Sequence, residues 1–174
     1  MLHMAAVLKT LASTYPNAVF PRVDNFFMGK IGHANGNFYP SLRGIVWCPR
    51  TSAVMQKEDA YNARAKVPWS ISSSQPTALR NMGTIIHELS HSCYASQKAQ
   101  FQKVMAGLKL LTPTGKPKKS ITDKVSEYSH NSLNEFHSEL VAKCALPTYK
   151  KGSLPSALEA YVFEEVLGMK AGTW

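Results

Sequence analysis

The chain has 174 residues, 44% of them hydrophobic, and a formal charge of +9 from twenty Lys and Arg against eleven Asp and Glu. That length can bury the core of one domain spanning 1–174 without metal or disulfide support. The three cysteines, Cys48, Cys93 and Cys144, lack C-x-x-C spacing, which argues against a disulfide framework or a zinc ribbon and for a reducing compartment. The charge suits an anionic partner such as nucleic acid, anionic cell wall or an acidic protein.

Leu2, Ala5, Ala6, Leu8, Leu11 and Ala12 recur at helical spacing and predict a helix over 2–14, stopped by Pro16 and Asn17. Neither this N-terminus nor any later segment has the apolar run of a secretion signal or a membrane span, so a cytoplasmic protein without membrane contact is expected. From Ala18 to about Met55 short apolar runs, "AVF", "NFF", "NFYP" and "GIVWC", are separated by Gly, Asn and Pro, a pattern of about three strands of which Arg43 to Cys48 is the clearest. Residues 56–75 are polar and aperiodic and read as a connection.

Pro76 stands where a first helical residue often stands. Leu79, Met82, Ile86, Leu89 and Cys93 follow at spacings of three or four, predicting a helix over 76–95. A second helix is expected over 97–111, then an exposed basic loop at 112–120, "TPTGKPKKS". Two more helices are expected over 133–146 and 155–167, stopped by Pro147 and Gly168.

Within the 76–95 helix, "HELSH" places His87, Glu88 and His91 in the order H-E-x-x-H. Residues four apart lie one turn above each other, so two imidazoles can meet one ion with the Glu beside it. Zinc takes about four ligands and leaves one position to water at a catalytic site. Glu88 then has work as the base on that water. Cys93 is turned away from His91 and reads as a small core residue.

A third ligand is expected from "YSHNSLNEFHSELVAKC", Tyr128 to Cys144, where Glu135 and Glu139 are four apart on one helical face and Phe136, Leu140, Val141 and Cys144 mark the buried side. Glu135 is the preferred ligand. Ser132 and Glu135 also form a capping-box pattern, S-x-x-E, that would use the same carboxylate on a backbone N–H. Glu139 suits either a hydrogen bond to a ligand histidine, fixing its tautomer, or a solvated helix face.

These residues resemble the gluzincin branch of the zincin metallopeptidases, in particular the small catalytic domain typified by anthrax lethal factor and related phage and bacterial proteins. There a Y-x6-E-x3-E motif follows the H-E-x-x-H helix. The resemblance covers roughly 77–146, within a domain whose metal-site core is expected at about 76–146, and this chain departs from it at Ser138, Leu140 and Val141. It implies an α+β zincin-like domain with a small N-terminal mixed sheet packed on the H-E-x-x-H helix and helices after it. It further implies a Zn2+ cofactor, His87, His91 and Glu135 as ligands, Glu88 as base, Tyr128 as the carbonyl-polarising group, and Glu139 supporting a ligand. The reaction implied is hydrolysis of a protein or peptide substrate, with "LRGIVWC" as the edge strand against which the substrate pairs.

Two histidines offer another completion. His130 or His137 would give an all-histidine site as in the SprT-type zincins, but His137 lies about 200° around the helix from Glu135, so both cannot face one ion. A different function also fits: a zincin fold kept as a structural or assembly component of a larger particle such as a phage virion, with or without activity. Nucleic-acid binding rests on charge alone, without a recognition motif. Trp47, Trp69 and Trp174 read as packing residues.

Overall fold

The computed structural model describes residues 2–20, 23, 25–28, 36–39, 41, 44–47, 77–126 and 128–174. The connection expected over 56–75, with Cys48, Trp69 and the Trp47 side chain, lies outside them. In chain order the elements are α1 (Leu2–Thr14), β1 (Asn25–Met28), β2 (Gly36–Tyr39), β3 (Gly44–Trp47), α2 (Thr77–Gly107), α3 (Lys119–Thr122), a 3-10 turn (Tyr128–His130), α4 (Leu133–Ala145) and α5 (Ser156–Ala160). The last helix runs on from α5 as a π-helical stretch, Tyr161–Val166.

The α2 helix is 31 residues long and joins what the sequence divides at residue 96 into two helices. Neither Gly nor Pro stands at 95–97, so nothing in the sequence there ends the helix, and buried apolar positions continue across it from Cys93 to Phe101 and Met105. At about 100° per residue Ile85, Leu89 and Cys93 fall within roughly 80° of one another and away from His87 and His91, whereas Phe101 and Met105, further along, come round to the His87 direction. In this first half of α2 the apolar positions Ile85, Leu89 and Cys93 thus turn to one side and the two histidines to the other, with Thr84, Ile86 and Ser90 also buried.

Against α2 lies α4, ten of whose thirteen residues are buried. It is the central helix of the protein. Phe136 stacks on Phe101 of α2 at 5.9 Å between ring centroids, and burial of such a ring contributes about 3 kcal/mol or less to folding. The π-helical stretch closes the far side of α4, with Tyr161, Val162 and Val166 buried. Its end is fixed by Gly168 at φ +67, where an added Cβ would fall 2.2 Å from Asn17 O. The segment after α1 docks there, and Val19 N–H donates to Val166 O at 2.9 Å.

The expected α+β class is corrected. The three strands are four residues each and pair in the order β1–β3–β2, β1 parallel and β2 antiparallel to β3. The buried hydrophobic side chains among the described residues come from the helices and the segments between them. The described protein is mainly helical, and a mixed sheet as a layer beneath the H-E-x-x-H helix is not supported.

The edge-strand expectation is also overturned. β3 is hydrogen-bonded on both sides and lies in the centre of the three, so residues 44–47 leave no open edge for a peptide. The basic segment forms an ordered turn: Gly115 N–H donates to Thr112 O at 2.9 Å and Lys118 N–H to Leu110 O at 2.8 Å. No helix among the described residues is long and apolar enough to cross a membrane.

Candidate metal centre

His87, on α2, is buried and His91, one turn later, is half-buried. Their Nε2 atoms lie 2.9 Å apart. Glu135, in the first turn of α4, brings Oε2 to 3.4 Å from both of them. The three donor atoms thus mark a triangle with sides of 2.9, 3.4 and 3.4 Å. Bonds of about 2.0 to 2.1 Å in a regular tetrahedron place ligand atoms roughly 3.3 Å apart, so the triangle has the size of one face of a zinc coordination sphere.

The competition between ligand and cap at Glu135 dissolves in the structure. Ser132 caps α4, its Oγ accepting the Glu135 backbone N–H at 3.1 Å, while the Glu135 carboxylate turns to the histidines. The backbone serves the helix end and the side chain serves the cluster. Glu135 Oε2 is buried, with the two imidazole nitrogens at 3.4 Å as its partners in the cluster.

Both imidazoles are met from behind. Glu139, 1% exposed, places Oε1 2.9 Å from His87 Nδ1, and its Oε2 accepts from Ser126 Oγ–H at 2.8 Å. Asn134 places Oδ1 3.1 Å from His91 Nδ1. Ser126 Oγ also accepts Ser129 N–H at 3.2 Å, tying the turn that carries Tyr128 to the same network. Tyr128 is 39% exposed, its ring 6.2 Å from that of His87.

The charges fit a cation. Burial pulls the His87 pKa down, but the Glu135 and Glu139 carboxylates, with a contribution from Glu88, more than reverse this and hold it up at about 10. Glu135 is pushed up by burial and drawn further down by His87 and His91, to about 2. The carboxylates around His87 thus favour a positive charge at this place.

Of the remaining candidates, Glu88 follows His87 and is half-buried. His130 is elsewhere, 2.7 Å from Thr122 Oγ1 and 3.4 Å from Asp123 Oδ1 by its Nε2. His137 is fully buried among Tyr94, Phe101 and Tyr161 rather than at the surface, and its Nε2 lies 2.9 Å from Tyr161 Oη. Cys93 is a buried core thiol, raised by burial to about 12. Trp174 packs on Phe163 at 4.8 Å between centroids, with Lys151 above the ring.

Sequence reasoning missed Asn134 and Ser126. Asn134 was visible only as the neighbour of Glu135, and Ser126 lies thirteen residues before Glu139, a separation that carries no periodic signal. Among the described residues, His87, His91 and Glu135 are the group that converges closely enough for one metal ion. No family model, curated protein or solved structure matches this chain.

Proposed function

We propose that this protein is a zinc-dependent metallopeptidase of the gluzincin type, in which His87, His91 and Glu135 hold the ion. The observation that carries the reading is the triangle of donor atoms, 2.9 to 3.4 Å on a side, with Glu135 Oε2 buried against both imidazoles. Two imidazoles and a carboxylate are a donor set suited to zinc. A zinc ion there supplies Lewis acidity, which lowers the pKa of water to about 7 and polarises a carbonyl oxygen.

The chain's own residues have distinct tasks. Glu139 and Asn134 hold the two imidazoles so that Nε2 faces the centre. Glu88 takes a proton from the attacking water onto its carboxylate and hands it to the nitrogen of the departing amine. Tyr128, exposed beside His87, donates its hydroxyl hydrogen to the oxygen that gains charge as the amide carbonyl is attacked. The substrate class is a protein or peptide.

Zinc content by elemental mass spectrometry, beside turnover of a mixed peptide library, tests this. About one zinc per chain and cleavage are expected. Glu88→Gln should keep the zinc and lose hydrolysis by about 10²- to 10⁴-fold. Absence of zinc after reconstitution would overturn the metal reading, and a Glu88→Gln variant as fast as wild type would overturn the mechanism.

A further inference from the structure

The two ligand histidines are supported by different chemistry. Behind His87 stands a buried carboxylate, Glu139, itself fixed by Ser126. Behind His91 stands a neutral amide, Asn134, at 3.1 Å. A neutral imidazole carries one hydrogen, and which nitrogen bears it decides which nitrogen has a lone pair to give. For His91 Nε2 to face His87 Nε2 and Glu135 Oε2 as a donor, the hydrogen must sit on Nδ1, where it needs an acceptor. The Asn134 carbonyl oxygen is in that place.

We infer that Asn134 is the positioning residue of His91: its Oδ1 accepts the Nδ1–H, selects the tautomer with a free Nε2 lone pair, and fixes the ring toward the metal. The inference rests on the metal reading proposed above. It gives the dipeptide Asn134–Glu135, at the start of α4, two tasks in one site, since Glu135 reaches the ion directly while Asn134 aims a ligand on the neighbouring helix. Capping by Ser132 holds this first turn in place, with the Glu135 backbone N–H bonded to Ser132 Oγ.

An amide is chemically distinct from a carboxylate here. Glu135, Glu139 and Glu88 already bring three negative charges to the surroundings of His87. Asn134 orients His91 without adding a fourth. The acceptor oxygen, not the charge, is the property that the position requires, and the side chain's shape alone does not supply it.

The full-length chain tests this with three proteins: wild type, Asn134→Leu, which keeps the size and removes the acceptor, and Asn134→Asp, which restores one. Zinc affinity is measured by competition with a chromophoric chelator, and the visible spectrum of the Co2+-loaded protein reports ligand geometry. Asn134→Leu should bind zinc about 10- to 100-fold more weakly than wild type and shift the cobalt bands. Asn134→Asp should recover both the affinity and the band positions. Thermal midpoints of the metal-free proteins check folding, and Asn134→Ala takes the place of the Leu variant should the latter not fold. Wild type binding one zinc with Asn134→Leu binding as tightly would overturn the role of Asn134 and leave the metal site standing. An Asp variant as weak as Leu would equally overturn it, because an acceptor would then not be what matters. Failure of wild type to bind zinc or cobalt would bring down the metal reading and this role together.

Discussion

His87 and His137 are both buried histidines on the two central helices, 7% and 0% exposed, yet their surroundings drive them apart. Burial alone pulls each toward neutrality. Around His87 the carboxylates of Glu135 and Glu139 reverse that pull and raise it to about 10. Around His137 the neighbours are the rings of Tyr94, Phe101 and Tyr161, and burial, helped by the charges of His91 and His87, lowers it to about 3. The difference teaches that burial does not assign a histidine its role; the partners at its nitrogens do.

The sharpest way to break this comparison is to remove each ring in turn. His87→Ala should lose zinc and hydrolysis together, whereas His137→Phe should keep about one zinc per chain, both read by elemental analysis beside peptide turnover. Loss of zinc from His137→Phe in a folded protein would mean that the aromatic pocket is part of the metal site.

A smaller effect should come from the hydrogen bond between His137 Nε2 and Tyr161 Oη, 2.9 Å long. Tyr161→Phe leaves His137 Nε2 buried without this partner and should cost about 1 to 3 kcal/mol in urea denaturation. Removing both partners, with His137→Phe and Tyr161→Phe combined, should cost less than the sum of the two single changes. Strict additivity would show that the bond contributes nothing.

The smallest effect is a dependence on pH of opposite sign at the two histidines in chelator-treated protein. At His137 the folded pKa of about 3 lies below the ordinary 6.5. The unfolded chain therefore takes up a proton first, and stability falls as pH drops from 6.5 toward 3. At His87 the folded pKa of about 10 lies above 6.5, so its contribution is complete below 6.5 and lost as pH rises through 10. Between pH 7.5 and 5.5 wild type should lose about 1 kcal/mol more than His137→Phe. Equal losses would show that His137 is not held neutral.

Much of the candidate metal cluster was legible because helical spacing is a local rule. His87 and His91 are four apart on one helix, and Glu135 and Glu139 are four apart on another, so each pair shares a face whatever the rest of the chain does. The structure brings Glu135 to both imidazoles and Glu139 to His87. Asn134 was not legible, because its partner His91 is 43 residues away on another helix and no period connects them. That His137 is buried with Tyr161 Oη as its partner was not legible for a related reason: the π-helical stretch that supplies Tyr161 belongs to a later part of the chain.

The sheet shows where local pattern misleads. Apolar runs between Gly, Asn and Pro do mark three short strands, but strand pattern says nothing of how much core those strands supply or which of them is central. Here the core is helical and the clearest strand, β3, is flanked on both sides. By itself the sequence determined the helical character of most of 77–107 and 133–145, the pairing of His87 with His91 and of Glu135 with Glu139, and the cap at Ser132, because each depends on residues within a turn or two of one another. Only the tertiary structure decided that the fold is mainly helical, that Glu135 faces the histidines while its N–H caps the helix, and that one buried histidine meets carboxylates and the other aromatic rings. Those outcomes depend on which distant segments pack together, and burial acts on a side chain only through the neighbours that packing supplies.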